Sequence, residues 1–399
     1  VFPLMPEPRK PKSGLWKRGA LVAGFLVLAI GLWGNRWWTN SVSLSSIQSS
    51  IARGDLPHAR LLVGRYLEEF PTDSEGFELA VKLAEASRDT EGSVELYRRW
   101  AQLMPGDLPI WQGYGNSLLK TARFEEAESV YRTILRDHPT DVTAQTELQW
   151  ILFHQVRTRE LEQFLEQCLA LEPANDRLLF HLLMTAQKPP NPHESLPVLE
   201  RINEAVPGQR SILLGMARCA WKLGEIDRAS ELFAEVAKLK EPDRELCLAL
   251  AEFELEQLNI ERVQAALDAI PRKSDDELES DDRWWSIRSQ LSLRSLNLEE
   301  ALVQITKAAA LYPRSLPYLQ SRISLLRLLK WKDEADALEK EAEASRRAEQ
   351  RLYIIVHSGE LQRPTAALAR EIATLCADQR KNAQSEGWNR LAERLPGLQ

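Results

Sequence analysis

Residues 108–141 read LPIWQGYGNSLLKTARFEEAESVYRTILRDHPTD, and they decide the fold. Large and small apolar residues recur at helical spacing in two blocks. The first holds Trp111, Tyr114, Gly115 and Leu118; the second holds Phe124, Ala127, Tyr131, Ile134 and Leu135. Pro139 closes the second block, because proline cannot continue a helix. Gly115 and Ala127 are a small pair that lets the two helices approach, while Trp111, Tyr114 and Tyr131 fill the flanking space. Outward from this stretch the closing proline repeats. Pro71, Pro105, Pro139, Pro173 and Pro207 stand 34 residues apart, and Pro242 follows after 35. Pro271 and Pro313 break the step, but 242 to 313 is close to two further periods.

A 34-residue period with this alternation of large and small residues resembles the tetratricopeptide repeat (TPR). The resemblance covers about 350 of the 399 residues. It implies an all-α fold: a TPR α-solenoid, a right-handed superhelix of helix hairpins whose first helices line the concave face. The register predicts about nine repeats over 40–349, with 210–244 the second-best match through Gly224, Ala229 and Phe233. Around 245–273 the register is worn and the second helix short, and 282–315 recovers it through Trp285, Ala301 and Ile305. Residues 350–399 read as a divergent repeat or cap, with helices near 364–378 and 382–394. Two interruptions stand out. KPPNP at 188–192 demands an extended turn between the helices of the fifth repeat. DDELESDD at 275–282 reads as a solvated loop, without the central Gly and terminal Glu of an EF-hand.

Residues 19–35, GALVAGFLVLAIGLWGN, carry no charge. At about 1.5 Å per residue they span about 26 Å, and flanking Lys and Arg extend that toward the bilayer thickness. Trp16 on one side and Trp33, Trp37 and Trp38 on the other suit two membrane interfaces. Arg9, Lys10, Lys12, Lys17 and Arg18 precede the run and only Arg36 follows closely, so charge bias places the N-terminus in the cytoplasm. The expectation is a basic cytoplasmic tail at 1–18, a transmembrane signal-anchor helix at 19–38, and the repeats outside. A cleaved signal peptide is the rival, but no A-x-A site follows the run.

The chain carries 51 Lys+Arg against 58 Asp+Glu, a net charge of −7, which argues against nucleic-acid binding. Its four cysteines and six histidines are dispersed, with no CxxC or HExxH, so no metal or other cofactor is expected. Cys168, Cys219, Cys247 and Cys376 read as small buried hydrophobes, with a Cys219–Cys247 disulfide as the alternative. Gly113-x-Gly115 belongs to helix packing, and no Ser/His/Asp arrangement gives the carboxylates a task, so the chain reads as non-enzymatic, without a small-molecule substrate.

The resemblance implies peptide contact through outward positions of the first helices. These are Asn116 and Lys120 in the third repeat, Trp150, Phe153 and His154 in the fourth, Phe180, Met184 and Lys188 in the fifth, and Arg218, Trp221 and Lys222 in the sixth. Aromatics rimmed by cations suit a peptide with apolar and acidic side chains. The alternative is that these residues pack against their neighbours. Asn116/Lys120 and Arg218/Lys222 resemble parts of a carboxylate clamp, from which Thr146, Trp150 and Met184 depart. Together with a single anchor, the resemblance implies a scaffold that binds protein or peptide partners on the extracytoplasmic side, in a bacterium the periplasmic face of the inner membrane. A holdase for exported chains and an accessory subunit of an envelope or glycan-related enzyme are the other readings it leaves open.

Overall fold

The computed structural model describes residues 42–239, 242–271 and 278–395. Among them are twenty α-helices and no strand, arranged as TPR-like hairpins. The anchor expected at 19–38 lies outside the described residues, as do 275–277 of the acidic run. Among the described residues no helix is long and apolar enough to cross a membrane.

The chain divides into two compact units, Val1–Ile110 and Trp111–Gln399. The first holds α1 (Leu44–Ala52), α2 (Leu56–Glu69), α3 (Ser74–Ala86) and α4 (Thr90–Leu103). Its core gathers Ile47, Ala59, Val63, Tyr66, Phe77 and Leu83, and Trp100 stacks on Phe77 with ring centroids 5.9 Å apart. Asp55, Asp73 and Asp89 cap α2, α3 and α4 by accepting backbone N–H bonds from the first turn.

The second unit continues through α5 (Leu108–Lys120), where the boundary falls, and α6 (Phe124–Asp137). Next come α7 (Val142–His154), α8 (Thr158–Leu171), α9 (Asp176–Gln187) and α10 (Pro192–Ala205). Then follow α11 (Arg210–Lys222), α12 (Ile226–Leu239), α13 (Arg244–Glu256) and α14 (Ile260–Asp268). The last hairpins are α15 (Asp282–Arg294) with α16 (Leu298–Leu311), α17 (Leu316–Leu328) with α18 (Lys332–Ser358), and α19 (Ala366–Asp378) with α20 (Asn382–Arg394). A Cβ on Gly115 would sit 2.7 Å from the Tyr131 ring, so the small pair does set the close approach of α5 and α6.

The turn inside each hairpin repeats more regularly than the prolines. Gly54, Arg88, Ala122, Val156, Gly224 and Leu258 all have positive φ, between 53° and 77°. They fall on one 34-residue ladder with a single rung missing, at 190. Each closes its helix with a paired bond: Ala122 N–H donates to Leu119 C=O and Arg123 N–H to Leu118 C=O, and Val156 and Arg157 do the same to Phe153 and Leu152. This pattern satisfies the last carbonyls of the first helix and reverses the chain. Leu296, Lys330 and Arg380 repeat it in the later hairpins. A left-handed leucine costs about 1 kcal/mol that a glycine does not, and Leu296 is 83% exposed. Leu296→Gly is therefore expected to stabilise by about 0.5–1 kcal/mol, and Gly224→Ala to destabilise by about 1 kcal/mol, in urea unfolding. Equal signs for the two variants would remove the strain argument.

The missing rung is Pro190. Proline is locked near φ −65° and cannot take the left-handed position. The fifth hairpin opens as a result. Its first helix, α9, packs on α8, on the long α18 and on the C-terminal α20, and not along α10. Its second helix, α10, packs instead on α7 and α11. The following array then curls back. At its start α11 rests on α6, with Gln209 Nε2 donating to Ala122 C=O at 2.7 Å. At its end α20 rests on α8 and α9. The second unit is thus a ring closed at two seams.

Candidate functional site

Inside this ring lies a cavity of about 910 Å³. One wall is the start of α8, with Arg157, Arg159 and Glu160; the other is built from α11, α13 and α15. One indole, Trp221, stands in it. Its N–H donates to Glu256 at 2.8 Å and its ring meets Phe253 edge-on at 5.8 Å.

Much of the remaining lining is charged side chains held in fixed pairs. Glu245 takes bonds from Arg283 at 2.7 and 3.1 Å and pairs with Arg218. Burial alone raises a carboxyl, but Arg218 and Arg283 outweigh it and hold Glu245 down at about 2. Arg218 is buried, and that burial lowers its value even against Glu245. Arg283 also pairs with Asp281 at 3.0 Å. Asp282 accepts Tyr318 O–H at 2.7 Å and faces Arg159 at 3.0 Å. Glu252 is pushed up, chiefly by burial, although Arg283 and Arg159 pull the other way. Beyond the Arg157 end, Glu128 sits between Arg157 and Arg132 at 2.8 Å each; burial would raise it, and the two guanidiniums hold it low. Groups fixed this way need no reordering when a ligand arrives.

The structure corrects the reading of 275–282 as solvated loop over its described part. Asp281 and Asp282 are not free in solvent: Asp282 is buried, and both anchor arginines of the cavity wall. Of the cavity arginines sequence reasoning named Arg218 and missed Arg157, Arg159 and Arg283, and it missed Glu245. The one signal was Arg283 directly after an acidic run, a place where a fixed pair forms readily.

The sequence-derived candidates fall into four groups. Arg218, Trp221 and Lys222 line the cavity. Trp150, Phe153 and His154 form a second group: Trp150 stacks on Phe124 at 5.4 Å and tilts on His154 at 4.4 Å, and Phe153 meets His154 edge-on. Asn116 accepts Tyr131 O–H at 2.9 Å, and Lys120 is exposed one turn further along α5. On α9, Phe180 is covered by Trp388 of the C-terminal helix, edge-on at 5.1 Å. Met184 is half-buried on the same helix and Lys188 is exposed at its end. Part of the expected partner face is therefore occupied by the chain's own C-terminus. All four cysteines are buried free thiols, so the Cys219–Cys247 alternative is not formed. Among the described residues no cluster of His, Cys, Asp and Glu has the arrangement of a metal site.

No family model matches the chain, and no curated protein matches it. Several solved helical-repeat structures are similar. A tetratricopeptide repeat protein from Parabacteroides merdae shares 14% identity over 71% of this chain and 97% of its own, with a TM-score of 0.31. The Cut9–Hcn1 hetero-tetramer of APC/C gives 12% over 87% of this chain and 74% of that one, with a TM-score of 0.39. YrrB, a TPR protein with an unusual peptide-binding site, gives 16% over 48% and 97%, with a TM-score of 0.26. The repeat assignment rests on the chain's own ladder of prolines and left-handed turns, which makes the described residues a TPR-like array of helix hairpins.

Proposed function

We propose that this chain is a non-catalytic scaffold that takes a segment of a partner protein into the central cavity of its second unit. The observation that carries this reading is the convergence of three first helices, α11, α13 and α15, on one cavity holding Trp221, Lys222 and Arg294. Among the described residues neither Lys222 nor Arg294 has a carboxylate within ion-pair distance, whereas the deeper arginines are paired. An extended segment with apolar and acidic side chains matches them: the apolar group against the indole, the carboxylate against the two cations. We also propose, from the apolar run and its charge bias, that residues 19–38 anchor the chain in a membrane with the repeats on the extracytoplasmic side.

Affinity purification from detergent-solubilised membranes tests the binding reading. The comparison is wild type against Trp221→Ala/Lys222→Glu, two changes outside the buried ion cluster. One or a few stoichiometric partners should fall at least tenfold in the double variant. Many weak clients falling together would favour a holdase, and equal recovery would remove the cavity as the binding site. Carbonate extraction tests the anchor: the chain should stay with the membrane pellet, and release to the supernatant would remove that reading.

A further inference from the structure

The edge of the second unit that carries the hairpin turns changes character after the sixth repeat. In the third and fourth hairpins of the chain the turn residues are Ala122 and a buried Val156. In the seventh, eighth and ninth they expose pairs of large apolar side chains: Leu258 with Ile260, Leu293 with Leu296, and Leu328 with Trp331. Leu258 and Leu296 are the left-handed residues themselves, 66% and 83% exposed. A left-handed turn residue points its side chain out at the tip, and here the tip is apolar at a site that glycine occupies at no steric penalty and that Asn or Asp tolerates better than leucine. Trp331 is 46% exposed and lies between Lys330 and Lys332. Among the described residues all six keep at least 37% of their surface exposed.

We infer that this edge rests on a phospholipid bilayer, its turn tips entering the headgroup layer. Three features favour lipid over a protein partner. Leu258 also lines the rim of the cavity, but the other five apolar groups stand outside its lining, on consecutive turns; a groove suits a peptide, and tips suit a soft interface. An indole flanked by lysines is the composition of a membrane–water boundary, where the ring sits at the headgroups and the ammonium groups reach phosphate. The charges nearby are mixed, with Arg294, Lys330 and Lys332 against Glu261, Glu299 and Asp333. The apolar tips therefore supply the attraction, and binding does not depend on a strongly anionic surface. The inference gains strength from the proposed anchor, because a tether holds the edge at high local concentration, where shallow insertion suffices.

The test uses the full chain in nanodiscs of phosphatidylcholine with or without bromine on the acyl chains. The readout is the bromine quenching of wild type minus that of Trp331→Phe, which isolates one indole. Quenching should fall on Trp331, and should drop at least twofold in Leu258→Ser/Leu296→Ser with the unfolding midpoint kept. A chain retained in the disc whose Trp331 is not quenched overturns the edge and leaves the anchor standing. If the chain is not retained, the anchor fails. The same lipids are then offered as vesicles, where Trp331 quenching supports the edge alone and its absence overturns it.

Discussion

Trp388→Ala is expected to lower the unfolding midpoint of the second unit by roughly 10 °C, from a loss of about 4 kcal/mol. Trp388 is fully buried although it lies on the last helix of the chain, and it fills the space against Phe180 of α9. Beside it a Cβ on Gly387 would stand 2.5 Å from Leu179 Cδ2 and 3.2 Å from Cδ1. Leu179 is itself fully buried, so Gly387→Ala should also destabilise, by about 1–3 kcal/mol. The indole N–H of Trp388 has no acceptor among the described residues, so Trp388→Phe should cost much less than Trp388→Ala. Hydrogen exchange should show α9, α19 and α20 losing protection together in Trp388→Ala. A midpoint within 2 °C of wild type would mean that the C-terminal hairpin is not seated on α9.

The second large effect is Arg283→Met. Arg283 neutralises Glu245 and Asp281 at once, and its removal leaves Glu245 to Arg218 and Asp281 to Arg244 at 4.0 Å, each short of its bonds from Arg283. The expected loss is about 3 kcal/mol, at the lower end for a broken buried pair, because water reaches part of the cavity. The pH dependence follows from Glu245. Its folded value, about 2, lies below its unfolded value near 4.5. The folded state therefore gains stability above pH 4.5 and loses it as pH falls from 4.5 toward 2. The Glu245 side chain is 35% exposed, and allowing for solvent screening the contribution is about 2 kcal/mol. In Arg283→Met the fall between pH 5 and pH 3 should flatten in part, because Arg218 still holds Glu245 low. Urea unfolding at pH 7, 5, 4 and 3 measures both numbers. An unchanged slope would assign acid sensitivity to other carboxylates.

Much of the fold was legible because a solenoid repeats its own punctuation. The prolines after each second helix, Pro71 through Pro207, marked five helix ends. The worn seventh repeat is the short α14, nine residues long, and the C-terminal pair begins within two residues of its expected place. The left-handed ladder was hidden, because only Gly54 and Gly224 announce it; Arg88, Ala122, Val156 and Leu258 adopt it under pressure from the hairpin around them. The extended turn at 188–192 was legible, but its consequence was not. Proline reports its own dihedral, while the partners that α9 takes instead, α18 and α20, lie far along the chain. The candidate site was legible only in part for the same reason. Local spacing placed Arg218, Trp221 and Lys222 on one helix face, but long-range closure decided that they face Arg283 and Asp282 and that Phe180 faces Trp388.

The opened fifth hairpin also fixes the size of the second unit. A linear array of hairpins tolerates the gain or loss of a copy, since each touches only its neighbours. Here both seams are made by specific side chains that must arrive together: Gln209 at Ala122, and, some 180 residues later, Gln384 at Glu166. Adding or deleting a hairpin between α11 and α18 shifts the second seam by a full repeat relative to the first, and Gly387 no longer meets Leu179. This stretch can therefore vary in sequence far more readily than in the number of its hairpins.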